Sequence, residues 1–149
     1  MTTEPLTETP LVKEVVINAP TNVVWEAITN KAKMKEWYFE MSDFKPEVGF
    51  EFEFVAQDED CKDFVHHCKI TEVIPNKKLV HTWTYEGIRG LSQVTWELFD
   101  EGNSTRVKLT HTGLNTFDQN NPTFRRDNFD AGWTHILQTS LKSYLTPSA

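Results

Sequence analysis

The chain has little cysteine, no long apolar run and no strongly basic stretch, and each absence removes a class of function. Its two cysteines, Cys61 and Cys68, form no C-x-x-C pair and are expected as free thiols in a reducing compartment. No apolar stretch approaches the ~18 residues that mark a membrane-crossing helix, so membrane insertion is not expected. The opening residues, "MTTEPLTETP", carry acids where a signal or transit peptide needs a basic region and an apolar segment. They read as a mobile tail, residues 1–10, ahead of one domain, residues 11–149, and the expected location is the cytoplasm. The net charge is −7, which disfavours the phosphate backbone of a nucleic acid as partner. The Lys31, Lys33, Lys35 run reads as a solvated helix face. No G-x-S-x-G occurs, and nothing aims a base at either cysteine, so nucleophilic catalysis has no motif. There is no internal repeat and no low-complexity segment.

What is present is aromatic: five Trp and ten Phe in 149 residues, enough for a wide interior. "LVKEVVINA" (Leu11 to Ala19) reads as a strand. "APTNVVWEAITN" reads as a short helix that Pro20 can start, its missing N–H costing nothing there, and "KAKMKEWYF" as a second one turning Met34 and Trp37 to one side. The period then falls to two. "GFEFEF" alternates Phe50, Phe52 and Phe54 with Glu51 and Glu53, a strand with one wet and one apolar face. "FVHHCKITEVI", closed by a turn at Pro75-Asn76, "KLVHTWTYEG", "SQVTWELFD" and, after a hairpin turn in "DEGNS", "TRVKLTHTG" continue the pattern. A loop, "LNTFDQNNP", leads to a last helix that Asn121 can cap and Pro122 can start. In it Phe129, Trp133, Ile136, Leu137, Leu141 and Tyr144 recur at spacings of three and four. Strands in a run beside segregated helices imply an α+β domain, in which the long helix must cover the apolar face of the sheet.

In chain order, "INAPTNVVWEAITN", "MKEWY", "GFEFEF", "ITEVIPNKKLVHTW", "VTWEL", "TRVKLTHTGL" and "GWTHILQTSLKSYL" resemble the START-like (SRPBCC, helix-grip) superfamily. Within it they resemble the group named after the C-terminal domain of the heat-shock protein 90 ATPase activator. The resemblance implies a curved antiparallel sheet of about six strands wrapped around the C-terminal helix, two short helices after the first strand, and an internal cavity between sheet and helix. It also implies two kinds of partner, a small apolar (aromatic or lipid-like) ligand for a carrier or sensor, or a chaperone whose ATPase the domain stimulates. The activators carry a separate N-terminal domain, whereas only ten residues precede the first strand here, so the binding reading ranks first. Some members of the superfamily act on aromatic polyketides as cyclases or dehydratases. No residue here marks that chemistry, and catalysis ranks behind binding.

Alternation places Phe52, Phe54, Ile70, Trp83, Val94, Trp96, Val107 and Leu109 inward from the strands, and Phe129, Trp133 and Ile136 from the helix. Trp37 and Phe117 complete the expected cavity wall. Glu72, His81 and His111 fall on the same side, giving an apolar pocket with a few polar groups. Each has a plainer alternative: hydrogen-bonded core histidines, and a Glu72 that a bulge turns to solvent. A general acid–base role for Glu72 with either histidine stays open. Gly132 interrupts the helix at a cost of roughly 1 kcal/mol relative to Ala. Together with Ser140 it leaves space under the helix, either for close approach of the sheet or for the cavity. The loop from Leu114 to Pro122, with Phe117 near its middle, is either a lid or a solvated connection anchored by one Phe. His66, His67 and Cys68 lack the further ligands of a zinc site. Neither a metal nor a cofactor is expected.

Overall fold

A computed structural model describes residues 10–38, 43–57, 63–117 and 126–145 of the chain. The expected tail (but for Pro10), Cys61, and the capping role of Asn121 and Pro122 lie outside these residues. Strand β1 (Leu11–Ile17) is followed by helices α1 (Thr21–Thr29) and α2 (Lys31–Trp37). Five strands come next: β2 (Glu51–Gln57), β3 (Asp63–Ile74), β4 (Lys78–Tyr85), β5 (Ile88–Asp100) and β6 (Thr105–Thr112). They form one curved antiparallel sheet in the order β1-β6-β5-β4-β3-β2. After a 3-10 turn (Leu114–Thr116), α3 (Arg126–Thr134) runs on through a π-helical stretch (His135–Leu141) into a last turn, α4 (Lys142–Leu145).

Local chemistry accounts for the joints. Pro20 stands one place before the expected position, as the cap of α1, and its carbonyl accepts from the N–H of Val23 and Val24. Asn30 closes α1 and opens α2, where its Oδ1 accepts from Lys33 N–H at 3.1 Å. Asn76 adopts a left-handed φ of 63° in the β3–β4 turn, a conformation Asn tolerates better than most residues. β5 begins four residues earlier than "SQVTWELFD" suggests, because a two-residue turn at Glu86-Gly87 joins it directly to β4. A register shift lies between Trp83 and Tyr85; β5 alternates from Ile88 onward, but its inward place at Gly90 has no side chain and its outward place at Leu91 is apolar and exposed, which hides Ile88 to Leu91 from a period-two reading.

The two sheet edges are treated differently. Beside β1, Gln138 donates to the carbonyl of Glu14 at 2.9 Å, Arg126 to that of Pro10 at 3.1 Å, and Lys13 pairs with Asp130. The C-terminal helix thus occupies backbone acceptors that an edge strand otherwise offers to another chain. On β2 the outward side chains are Glu51, Glu53 and Val55, all exposed, and two carboxylates on an edge discourage pairing with a second copy.

The buried face of the C-terminal helix is made by Phe129, Trp133, Leu137 and Leu141, at a strict spacing of four. In an α-helix of about 3.6 residues per turn such a row drifts around the axis. A π turn closes i→i+5 and holds more residues per turn, so seven residues of π geometry bring the row back onto the sheet. The same rotation leaves Tyr144 exposed and Ile136 only half-buried, where straight α geometry puts both on the buried stripe.

Candidate functional site

Under the helix the expected space is filled. The indole of Trp133 projects onto the sheet between two others, with ring centres 5.4 Å from Trp83 and 5.7 Å from Trp96. Tyr38 stacks on it from the α2 side at 6.5 Å. The aromatic residues expected to line a cavity there close it instead.

A chain of hydrogen bonds fixes this packing. Trp133 Nε1–H donates to His111 Nδ1 at 3.0 Å, so the imidazole proton sits on Nε2, which donates to Ser92 Oγ at 2.9 Å. Ser92 Oγ–H donates in turn to the carbonyl of Trp83 at 2.7 Å. Helix α3 is thereby tied to β6, β5 and β4 in sequence. The Ser92–His111 contact has the spacing of a nucleophile and its base, but its proton lies on the wrong atom. The imidazole donates to the serine, and so cannot withdraw the serine proton in this arrangement. Burial holds His111 neutral, with a pKa lowered to about 3, and the nearby His81 adds to the effect.

Among the described residues a partly open pocket lies displaced toward the short helices. It lies beneath α1 and α2 and is lined by Ile28, Met34, Trp37, Tyr38, Phe44, Phe52, Leu79, His81 and Trp96. It leaves about 10 Å³ for the centre of a water molecule, room for roughly one water. The indole N–H of Trp37 is committed to the carbonyl of Ala27 at 2.8 Å. His81 Nδ1 lies 2.9 Å from the carbonyl of Thr82. A carbonyl only accepts, so the proton is on Nδ1 and Nε2 is a lone-pair acceptor. Nε2 takes the indole N–H of Trp96 at 3.3 Å. Burial lowers the pKa of His81 to about 4, opposed by the bond to Thr82, and raises that of the Tyr38 phenol.

One wall of this pocket is Phe44, whose ring packs 4.9 Å from Phe52 and 6.4 Å from Phe50. It hangs from an irregular stretch, not from the sheet. Its N–H bonds to the carboxylate of its neighbour Asp43, and the next sheet bonds begin only at Gly49 and Phe50, both to Ile70. Swinging Phe44 outward breaks no ladder hydrogen bond.

Of the residues expected in a cavity, Trp37, Phe52, His81 and Trp96 line this pocket. Phe54, Ile70, Trp83, Val94, Val107, Leu109, His111, Phe117, Phe129 and Trp133 are buried in the core around it. Two expectations are corrected. Glu72 faces solvent and pairs with Lys78 at 3.3 Å. A bulge between Ile70 and Glu72 inserts one residue into β3, and with a side-chain period of two a single insertion exchanges the faces. An acid–base pair of Glu72 with an inward histidine is therefore not formed. Gly132 is exposed, and a Cβ built on it meets nothing within 4 Å. It neither admits the sheet nor borders a cavity. Ile28, Met34, Tyr38, Phe44 and Leu79 escaped the sequence-based list. Leu79 alternates inward with His81 and was legible. Phe44 lies in irregular chain with no period to read.

The described part of the loop after β6 is clamped. Thr116 Oγ1 accepts from Leu91 N–H at 2.9 Å, and the buried Phe117 packs 5.2 Å from Tyr85 and 6.1 Å from Phe129. Residues 118–122 lie outside the described residues. His66 stacks on Phe54 at 4.5 Å and has its pKa lowered to about 4 by burial, while His67 turns outward between Glu51 and Glu53. Among the described residues no group of three or more His, Cys, Asp or Glu is placed to hold a metal ion.

The contrast between two glycines gives a direct test. Gly132→Ala should keep or raise stability, by up to ~1 kcal/mol. Gly113 has a φ of +83°, and a Cβ there would lie 2.6 Å from the carbonyl oxygen of Leu91. Gly113→Ala should lose about 1–2 kcal/mol from the left-handed backbone alone, and more from the overlap. Urea titration of both variants checks the pair, and a destabilised Gly132→Ala would show a buried role for that position after all.

Residues 18–146 match the family described as Activator of Hsp90 ATPase homolog 1-like protein. No curated protein matches the chain. Among solved structures, protein MLL2253 from Mesorhizobium loti is 27% identical with a TM-score of 0.73, the match covering 92% of this chain and 96% of that one. CalU16 from Micromonospora echinospora is 24% identical with a TM-score of 0.72, over 93% of this chain and 76% of that one. DynU16, a protein in the dynemicin biosynthetic locus, is 21% identical with a TM-score of 0.75. This chain covers only 47% of its length, though 93% of its own. The last two likenesses concern the fold alone. The architecture is that of the START-like, helix-grip superfamily.

Proposed function

The chain belongs to the Activator of Hsp90 ATPase homolog 1-like family, and from that premise we propose that it binds a small flat apolar molecule beneath α2, as a carrier or sensor. The observation that carries this reading is the pocket between α2 and the sheet, walled largely by aromatic rings, Phe44 among them, with one imidazole acceptor. Ligand pockets combine apolar walls with few, placed polar groups. Room for a ring comes from outward rotation of Phe44, which the irregular backbone around it allows.

Titration of the protein with benzene or toluene, followed through the fluorescence of Trp37 and Trp96 in the pocket wall, tests the reading. A saturable change is expected, and Phe44→Ala should bind more tightly because the ring-sized space stands open. If only the variant binds, the site is an engineered cavity and the reading falls. The competing reading, stimulation of a heat-shock protein 90 ATPase, draws on the family's description. ATP turnover by the purified chaperone, with and without this protein, decides it. Stimulation at stoichiometric amounts would reverse the order of the two.

A further inference from the structure

The polarity of the pocket narrows what it can hold. Resting on the pocket reading above, we propose that the ligand is a phenol, a single aromatic ring whose neutral hydroxyl inserts between Trp96 and His81. Among the described residues no Lys, Arg, Asp or Glu lines the pocket, so a charged ligand would be stripped of water with no counter-charge from them to meet it. The group must be neutral.

Its hydrogen-bonding character follows from two fixed atoms. His81 Nε2 offers a lone pair, because the proton on Nδ1 is held by the carbonyl of Thr82. Trp96 Nε1 offers a hydrogen and nothing else. These two now satisfy each other at 3.3 Å, a long hydrogen bond. A group entering between them must accept from the indole and donate to the imidazole. A hydroxyl does both. An ether or ketone accepts from Trp96 but sets its lone pairs against that of Nε2, leaving a buried acceptor unpaired. An alkyl ring leaves both partners unpaired if it parts them.

The ring has a place as well. Phe44 lies 4.9 Å from Phe52, and Phe52 lies 5.4 Å from the imidazole. A ligand ring that takes the position of the Phe44 ring stands against Phe52, which itself packs against His81, so its hydroxyl has to be directed along Phe52 toward the imidazole. Burial keeps the imidazole neutral down to about pH 4, so the acceptor is present throughout the neutral range.

The experiment compares phenol, anisole and benzoate as ligands of the wild-type protein. The readouts are calorimetry and the NMR signals of the Trp96 indole N–H and the His81 ring nitrogens. Phenol should bind at least tenfold more tightly than anisole, benzoate should not bind, and phenol alone should move the Trp96 and His81 signals together. Equal affinity for phenol and anisole, or phenol binding without those shifts, overturns the hydroxyl assignment and leaves the apolar pocket standing. If no ring compound binds, benzene included, the pocket reading itself fails and this inference with it. A preference for benzoate would overturn the neutral-ligand argument.

Discussion

Replacing Trp133 by Ala should remove most of the stability of this fold. Large-to-small changes of a buried Trp cost about 3–5 kcal/mol, and this one does more than leave a hole. His111 Nδ1 loses its donor, and an unpaired buried acceptor costs about a further 1–3 kcal/mol. The sum approaches the total stability of an ordinary domain, about 5–15 kcal/mol. Trp133→Phe keeps much of the ring contact with Trp83 and Trp96 and loses only the N–H, so it should cost much less and isolate the hydrogen-bond part. Equilibrium unfolding in urea of the two variants checks this. A loss below about 2 kcal/mol for the Ala variant would mean that the indoles do not fill the space beneath the helix.

Mild acid should have an effect of similar size. His66, His81 and His111 are buried and neutral, with pKa values lowered to about 4, 4 and 3, against about 6.5 in an unfolded chain. Below pH 6.5 the unfolded state takes up protons that the folded state refuses. The stabilisation from neutral burial is therefore complete above pH 6.5 and is lost as pH falls toward about 4. At its steepest the loss is about 4 kcal/mol per pH unit for three histidines, and integrated from pH 8 to pH 5 it reaches about 6 kcal/mol. The melting temperature should fall by roughly 10–20 °C over that interval. A flat melting temperature from pH 8 to pH 5 would show that these imidazoles are not buried uncharged.

What the sequence discloses about this protein divides by periodicity. The alternation of Phe52 with Glu53, or of Trp83 with Thr84, reports a sheet face because two-residue geometry is rigid, and strands β2 to β6 and most of their inward residues follow from it. The reading fails where one residue breaks the count. The insertion between Ile70 and Glu72 leaves no mark on composition, yet it sends a carboxylate from the expected interior to the surface. The helix misleads in a related way. Assigned at a uniform α pitch, its buried stripe runs toward Tyr144 and brings Gly132 to its margin. The π stretch holds Leu137 and Leu141 in line with Trp133 and turns Tyr144 away, while Gly132, ahead of that stretch, sits a residue off the Trp133 row and faces solvent. The site was legible in its walls and not in its volume. A list of aromatic side chains says that they share a face; whether they surround a space or occupy it depends on where each ring points, and Trp133 points into the middle.

The order of the strands carries a consequence for how the chain is made. β1 pairs with β6, Leu11 opposite His111, while every other neighbouring pair in the sheet is joined by a hairpin connection. On a ribosome β1 therefore waits for β6, the partner made after the rest of the sheet. Translation at about 5–20 residues per second sets that wait at about 5–20 s. During it, Val12, Val15, Val16 and Ile17 have no strand to join, and the helix whose side chains later guard the β1 edge has not been synthesised. Any factor that holds nascent apolar strands would find its target in β1, and release from it would be timed by the arrival of "TRVKLTHT".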